Sequence, residues 1–164
     1  AAVRRLYHRW CWPCARRCMS TQEKDMGLKR IIAAVKVLEK RSVKVGVQSG
    51  SGKGKNGVDV LDYAVYNEFG TKDIPSRPFM RATADANRAT VGKLGEAMLG
   101  QVYAGMSPET ALRQIGAQYE KIQKDNIKNG PWAPNSPETI RRKGSSKPLI
   151  DHGVLIGAIR YEVE

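Results

Sequence analysis

The sequence has few of the residues from which enzyme sites and disulfide frameworks are built. All three cysteines and one of the two histidines lie within residues 1–18, so residues 19–164 contain no cysteine. That part of the chain can form no disulfide of its own and needs no oxidising compartment. No apolar run reaches the 18 residues of a typical transmembrane helix, and residues 1–18 lack the apolar region of a secretory signal. The sequence therefore predicts no membrane partner.

The candidate catalytic groups stand apart from one another. His152 follows Asp151 in a predicted turn, where adjacent side chains generally point in different directions. Glu68 could be a buried general base, but the sequence offers it no partner. Asp59 and Asp62 could share a helix face and bind a hard cation, although acids near a helix start are more often partners of the helix dipole. With no G-x-S-x-G motif either, we expect a protein that is not an enzyme, without catalytic residues, metal or cofactor.

Positive charge is in clear excess. Lys and Arg number 28 against 16 Asp and Glu, which gives a net charge of +12. Residues 1–18 carry five arginines and no acid, so 12 − 5 leaves +7 for residues 19–164. This excess suggests an anionic neighbour such as nucleic acid. The basic residues expected near it are Lys53, Lys55, Arg141, Arg142, Lys143 and Lys147.

The same basic residues have simpler explanations. Lys53 and Lys55 lie in a Gly- and Ser-rich segment, 48–57, that predicts a solvated loop and lacks the spacing of a phosphate-binding P-loop. The cluster at 141–147 follows a predicted helix, and cations at a helix end complement its dipole without any ligand. No zinc finger, RNP signature or aromatic platform accompanies the cluster, so we expect no sequence-specific readout.

Residues 1–18 form a separate pattern. Four ligands of types that zinc accepts are spaced along it, His8, Cys11, Cys14 and Cys18, and WCWPC has the form of a thioredoxin redox motif. Neither site would be well supported, because no βαβ unit surrounds the motif and so short a segment supplies almost no second shell. Met19 begins a stretch typical of a natural protein start. We predict that residues 1–18 are a disordered N-terminal extension and that residues 19–164 form a single domain.

Apolar spacing predicts three helices in the first two thirds of the chain. The first spans Gln22–Lys40, with Ser20 or Thr21 as its cap, and the second spans 58–69 and is closed by Gly70. A long helix starts at Pro78 and continues to about residue 105. Three glycines weaken it, so we expect either close packing or a break at Gly92, Gly95 and Gly100.

The tetrapeptide SPET occurs twice, at 107–110 and 136–139. Each copy supplies Ser as N-cap, Pro at the first helical position and Glu in the first turn. The first copy predicts a helix to about Lys128 and the second a short helix that ends at Lys143. The apolar face expected for the longer one consists of Leu112, Ile115, Tyr119 and Ile122. Between the helices, NGPWAPN predicts a rigid turn anchored by Trp132.

Two segments alternate between apolar and polar residues and therefore predict strands. They are 43–47, with valine at every second position, and 158–163, which follows a predicted turn at 151–153. We expect these strands to pair antiparallel. The predicted fold class is α+β, a small antiparallel sheet packed against several helices that include one long helix.

The most densely specified segment is YNEFGTKDIPSRPFM, residues 66–80. Its two prolines stiffen the chain and bias the residues before them toward extended conformations. We predict that Phe69 and Phe79 are apolar anchors and that Arg77 bonds to carbonyls or to Glu68. These features favour a fixed corner over an active site.

In their order along the chain, these motifs resemble the tail-completion proteins of tailed bacteriophages, the minor tail protein Z-like family, also described as neck or virion-morphogenesis proteins. The resemblance covers about residues 43–164. The family's N-E-F-G-T is matched at 67–71, its P-x-R-P-F at 75–79 and its T-I-x-x-K-G at 139–144. Its K-P-L-I-D-T-G is matched at 147–153, with His152 in place of the usual threonine.

The resemblance implies a structural virion protein of the phage neck, which completes the tail end and helps join tail to head as a ring of about six copies around the DNA channel. The expected partners are other copies of the chain, a tail terminator or tail tube protein, head–tail connector proteins and DNA passing without sequence readout. The protein would be assembled in the host cytoplasm and reside in the virion. The residues expected at a subunit or ring interface are Glu68, Phe69, Gly70, Thr71, Pro75, Arg77, Pro78, Phe79, Pro148 and Leu149. The alternative function is a basic nucleic-acid-binding module without sequence specificity.

Overall fold

The computed structural model describes residues 27–48, 50–54, 57–150 and 152–164. These residues form an α+β fold with six helices and a two-stranded antiparallel sheet, as predicted. The elements in chain order are α1 (Leu28–Lys40), β1 (Val43–Val47), α2 (Val60–Phe69), α3 (Phe79–Ala104), α4 (Pro108–Asn129), α5 (Pro137–Lys143), α6 (Val154–Ala158) and β2 (Ile159–Val163).

The sheet has the predicted pairing. β1 and β2 run antiparallel, with Val43 opposite Val163, Val45 opposite Tyr161 and Val47 opposite Ile159. Partners across the strands share a face, so the apolar residues of both strands point to one side, where α4 packs. The prediction had placed Ala158 in the second strand; it instead ends α6, a helix of five residues that the sequence did not predict.

The two SPET segments cap helices in the predicted way. Ser107 accepts a hydrogen bond from the Thr110 backbone N–H (3.1 Å), and Ser136 accepts one from the Thr139 N–H (3.2 Å). A proline begins each helix, at α4 and α5. The caps satisfy donors that a helix N-terminus would otherwise leave unpaired.

The first described helix starts at Leu28, and the predicted helical residues 22–26 lie outside the described residues. Gly27, at φ +91°, adopts a left-handed conformation that cannot continue a right-handed helix, so α1 starts at Leu28. The predicted caps Ser20 and Thr21 lie outside the described residues, as does the predicted extension 1–18.

Two apolar clusters stabilise the fold. The larger lies among α2, α4, α6, the sheet and the start of α3, and its buried members are Val60, Ala64, Phe79, Ile127, Leu149, Leu155, Ala158 and Ile159. The smaller joins the end of α3 to the start of α4 and to α1, through buried Met98, Val102 and Ala111. Trp132 packs against the larger cluster and donates its indole N–H to carbonyls near the end of α4, so its predicted role as an anchor is confirmed.

The buried face of α4 differs from the predicted one. The fully buried residues are Ala111, Gly116, Gln123 and Ile127, whereas the four predicted residues flank them and are half-buried. Gly116 explains the shift, because a Cβ there would lie 2.5 Å from Cδ2 of Tyr161. The helix meets the sheet through its smallest residue, and bulkier neighbours stand to either side.

The glycines of α3 neither break the helix nor pack closely in the described part of the chain. α3 is continuous through all three, and a Cβ built on Gly92, Gly95 or Gly100 would meet no described atom within 4 Å. The predicted break is therefore wrong. In the described residues, no helix is long and apolar enough to cross a membrane.

Candidate functional site

The densely specified segment forms a folded corner between α2 and α3, which we define as residues 67–81. Gly70 ends α2 with φ +79° and ψ 167°, a backbone conformation open almost only to glycine. A Cβ at this position would lie 2.9 Å from the Ser76 backbone nitrogen and 3.1 Å from the Ile74 carbonyl oxygen. Thr71 shapes the next turn, because its hydroxyl oxygen accepts the backbone N–H groups of Asp73 and Ile74. The path of the corner is therefore fixed at its first residues.

Arg77 is the hydrogen-bonding centre of the corner and is only 5 % exposed. Its Nε donates to the Ala133 carbonyl (2.7 Å), and one terminal nitrogen donates to the Asn67 side chain (3.1 Å). The other terminal nitrogen donates to the Pro134 carbonyl (3.0 Å) and to Asn135 Oδ1 (3.3 Å). One side chain thus joins the end of α2 to the connection between α4 and α5.

Asn67 and Asn135 extend this network. The side-chain oxygen of Asn67 accepts a hydrogen bond from the Arg77 guanidinium, and its backbone carbonyl accepts one from the Arg77 backbone N–H. The Asn67 side-chain amide donates to the Tyr63 carbonyl (2.8 Å). Asn135 donates to the carbonyls of Ser146 and Lys147. The network therefore reaches the segment that leads to Pro148 and Leu149.

The positive charge of Arg77 is stabilised by the dipoles of neighbouring oxygen acceptors. Among the described residues, all of its side-chain partners are carbonyl or amide oxygens and none is a carboxylate. Burial lowers the pKa of the Arg77 guanidinium below its ordinary value, and the nearby Tyr63 partly opposes this by raising it. A cation without a paired anion depends on each of these acceptors.

Glu68 caps α3 from the neighbouring helix. Its Oε2 accepts the Met80 backbone N–H (2.9 Å), and its Oε1 accepts both the N–H (3.1 Å) and the Nε (3.0 Å) of Arg81. Pro78, which precedes the helix, has no side chain that can cap it. A carboxylate beside the N-terminus of a helix also has a favourable interaction with the helix dipole. Glu68 is 6 % exposed and is fully engaged in this structural role.

This geometry corrects one predicted contact and confirms its alternative. Glu68 pairs with Arg81 and not with Arg77, while Arg77 bonds to carbonyls, which was the other option. No motif or spacing in the sequence indicates a role for Arg81. Glu68 and Arg81 are thirteen positions apart in sequence, and no helix or strand spacing connects residues that far apart.

The two phenylalanines of the corner differ. Phe79 is completely buried, so its predicted role as an apolar anchor is confirmed. Phe69 is 64 % exposed and is not an anchor within the described fold; the Arg81 guanidinium lies 4.8 Å from its ring centre. A cation over an aromatic face is attractive, and it holds the Phe69 ring at the surface.

The start of α3 is also fixed on α4, by residues that the sequence analysis did not single out. The Phe79 carbonyl accepts hydrogen bonds from the Thr83 hydroxyl (2.6 Å) and the Gln123 amide (2.8 Å). Asn126 donates to the Thr83 hydroxyl. Glu68 on one side and the residues Thr83, Gln123 and Asn126 on the other therefore fix the first turn of α3.

The predicted interface residues separate into an inner and an outer set. The inner set, Glu68, Arg77, Phe79 and Leu149, is buried inside the subunit. Leu149 belongs to the larger apolar cluster and has a backbone φ of +58°, a value that residues other than glycine rarely adopt. The outer set is partly or largely exposed and consists of Phe69, Gly70, Thr71, Pro75, Pro78 and Pro148. Only the outer set can meet another molecule without unfolding the corner.

An open groove of about 360 Å³ adjoins the exposed side of the corner. The side chains of Leu61, Val65 and Phe69 form one wall, at successive turns of α2, and Met80 lies among the remaining lining residues. Gly46 and Val47 of β1 line it as well. This is an apolar surface directly beside the sheet.

The basic candidates lie mostly on the surface. Arg141, Arg142 and Lys143 occupy the last turn of α5, beside the Gly144 cap, where they complement the helix dipole. Arg141, Arg142 and Lys147 are exposed, and Lys143 donates to the Lys147 carbonyl (3.4 Å). Lys53 is exposed in the loop before α2, and Lys55 lies outside the described residues.

The predicted catalytic and metal candidates are not brought together. Asp59 accepts the Leu61 backbone N–H (2.8 Å) as the N-cap of α2, and Asp62 is exposed in the first turn. His152 is exposed on the turn before α6. In the part of the chain that the structure describes, no three His, Cys, Asp or Glu side chains form a group that could hold a metal ion. The candidate zinc ligands of residues 1–18 lie outside that part.

We expect Glu68→Gln to lower the free energy of unfolding by about 1–3 kcal/mol. The amide keeps the shape of the side chain but loses its charge, and its NH₂ group cannot accept from the Met80 or Arg81 N–H. Urea unfolding followed by circular dichroism measures the change. Glu138→Gln is the matched control, because Glu138 is an exposed acid in the first turn of α5. Equal losses in the two variants would contradict the capping role.

In comparisons with known proteins, no protein-family model, curated protein or solved structure matches the chain.

Proposed function

We propose that this chain is a structural protein of the neck of a tailed bacteriophage. It completes the end of the tail and helps join it to the head, as a ring of about six copies around the DNA channel. The proposal rests on the ordered motifs NEFGT, PSRPF, TIRRKG and KPLIDHG, which resemble those of tail-completion proteins. The partners would be other copies of the chain, a tail terminator or tail tube protein, head–tail connector proteins and the DNA in the channel.

One structural observation carries the proposal: Glu68 and Arg77, the two buried charged residues of the motif, are engaged inside the subunit. Glu68 caps α3, and Arg77 binds oxygens of two segments, the end of α2 and the connection between α4 and α5. Neither is placed to reach a substrate. The motif therefore fixes shape, which is the task of a part that must fit copies of itself and its neighbours.

The outer side of the corner supports a contact role. Phe69 is held at the surface by Arg81, beside the exposed Val65. Exposed apolar groups next to a rigid backbone are typical of surfaces that bind other proteins. On this proposal, Phe69 and the exposed residues around it contact the adjacent subunit or ring.

Electron microscopy of the purified full-length chain tests the ring, and one pair of variants tests the surface. We expect rings for the wild type and a loss of rings for Phe69→Ala, because truncation removes the apolar contact. Tyr66→Ala is the matched control, since Tyr66 is an exposed aromatic on the same helix that does not line the groove. A chain that forms no rings, alone or on tails that lack their end, would contradict the proposal.

The basic residues 141–147 support the alternative, a nucleic-acid-binding module without sequence specificity. Arg141, Arg142 and Lys147 are close in sequence and exposed together. Phosphate contacts release counterions, so binding by such a module falls steeply with salt. Tight, salt-sensitive DNA binding by a protein that stays monomeric, abolished by replacing these three residues with alanine, would favour the alternative over the ring.

A further inference from the structure

The two edges of the small sheet differ in what covers them. Ser42 and Glu164 exchange two backbone hydrogen bonds of 3.0 Å each, which makes them a hydrogen-bonded pair. Such pairs alternate along an antiparallel ladder, so Lys44 and Gly46 also bond to β2. The backbone N–H and C=O groups of Val43, Val45 and Val47 therefore point away from β2, toward the outer edge of β1.

The outer edge of β2 is partly capped, whereas that of β1 is open. Glu120 of α4 accepts the outward N–H of Tyr161 on β2 (3.0 Å). In the described residues, no hydrogen bond reaches the outward backbone groups of the three β1 valines. Unpaired backbone groups along a strand edge pair readily with another extended chain.

β1 carries few of the features by which edge strands prevent pairing; the two that it has are its short length and one lysine. It contains no proline and no bulge, and its one charged side chain, Lys44, lies on the solvated face, where it bonds to Glu164 (2.7 Å). The apolar groove beside Gly46 and Val47 leaves open space next to the end of the strand. The outer edge of β1 therefore has unpaired backbone groups and adjoining space for a further strand.

The sequence of β1, VKVGV, is complementary to itself in one antiparallel register. With Val45 opposite the Val45 of a second copy, Val43 lies opposite Val47, and all three outward positions pair. Lys44 then faces Gly46, so the only charged side chain of the strand lies opposite the only residue without one. A register centred on Lys44 would instead place the two Lys44 side chains opposite each other, which is unfavourable. It would also leave one valine of each strand without a partner valine.

We propose that β1 pairs with β1 of a second copy, antiparallel, about a two-fold axis at Val45. The two small sheets become one four-stranded sheet in the order β2-β1-β1-β2, which is a more stable unit than two strands alone. A two-fold contact joins two copies and cannot by itself close a six-membered ring. The pairing therefore goes beyond the proposed function and does not depend on it.

Sedimentation velocity of the full chain over a range of concentrations tests the pairing, with Val45→Pro as the disrupting variant. The Val45 N–H makes no bond to β2, so proline there spares the internal ladder while it removes a donor from the edge. We expect dimers for the wild type and a dissociation constant raised about tenfold or more for Val45→Pro. Far-ultraviolet circular dichroism should be unchanged.

Val163→Pro is the matched control. Val163 lies opposite Val43 in the register, so its N–H also points away from the internal ladder, but toward the opposite edge of the sheet. The dimer should survive this substitution. Amide hydrogen exchange gives a second readout: the amides of Val43, Val45 and Val47 should become protected as the concentration rises, while those of Lys44 and Gly46 are protected throughout.

Three results would overturn the pairing: a wild type that is monomeric at every concentration, an association that Val45→Pro leaves unchanged, or equal weakening by both prolines. These results leave the ring untouched, because rings are scored separately by electron microscopy with Phe69→Ala. Dimers lost in Val45→Pro but kept in Phe69→Ala support the pairing whether or not rings form.

Discussion

Arg77→Ala is expected to lower the free energy of unfolding by about 3–5 kcal/mol. The substitution removes the donors that satisfy the carbonyls of Ala133 and Pro134 and the side chains of Asn67 and Asn135. Asn67 is buried, so leaving its side-chain oxygen unpaired has a free-energy cost beyond the lost bond. The connection between α4 and α5 would also lose its link to α2.

Urea unfolding of three variants separates this role of Arg77 from a general effect of charge. Arg77→Lys keeps the charge but cannot reproduce the planar arrangement of donors, so we expect an intermediate loss. Lys53→Ala removes an exposed cation and should change stability by less than about 0.5 kcal/mol. If the corner shapes the assembly surface, Arg77→Ala also reduces ring formation more than Lys53→Ala does. Similar stability of Arg77→Ala and Lys53→Ala would contradict the hydrogen-bonding role.

Gly70→Ala is expected to be destabilising by about 2–4 kcal/mol, from backbone strain and a steric clash together. The φ of +79° with ψ of 167° disfavours any side chain. The new methyl group would also meet the backbone of Ser76 and Ile74, at 2.9 and 3.1 Å, which cannot move aside as the end of a flexible side chain can. The corner would have to open to admit it.

Gly144→Ala distinguishes the two contributions, with thermal and urea unfolding as the measurements. Gly144 also ends a helix with positive φ, +67°, but a Cβ there would meet no described atom within 4 Å. Its substitution should therefore cost only the conformational strain, about 1 kcal/mol. If Gly70→Ala were no worse than Gly144→Ala, the close approach of Gly70 to Ser76 would not matter for stability.

Features that depend on neighbouring residues could be predicted from the sequence. Ser107 and Ser136 cap helices because the cap and the donor are three residues apart. Gly70 closes α2 as predicted, and α5 ends at Lys143, the predicted residue, just before Gly144. The pairing of the two strands followed from alternation, since each strand has one apolar face.

Specific side-chain contacts between residues distant in the sequence could not be predicted. The spacing of the sequence does not indicate that Glu68 pairs with Arg81 while Arg77 bonds to carbonyls. This pairing depends on the direction that α3 takes after Pro78. The close approach of Gly116 to Tyr161 joins two elements with no local signal. α6 was missed because VLIGA is too short for helical periodicity and is apolar enough to extend a strand.

The separation of the two apolar clusters bears on how the molecule melts. In the part of the chain that the structure describes, α1 packs against the smaller cluster through half-buried Ala34, and none of its residues is fully buried. Detaching it exposes little apolar surface, so that end of the molecule can open at a fraction of the global free energy. Heat should release α1 and the last turns of α3 before the larger cluster fails. The van't Hoff enthalpy of the transition would then fall below the calorimetric enthalpy, because the molecule does not melt as one cooperative unit.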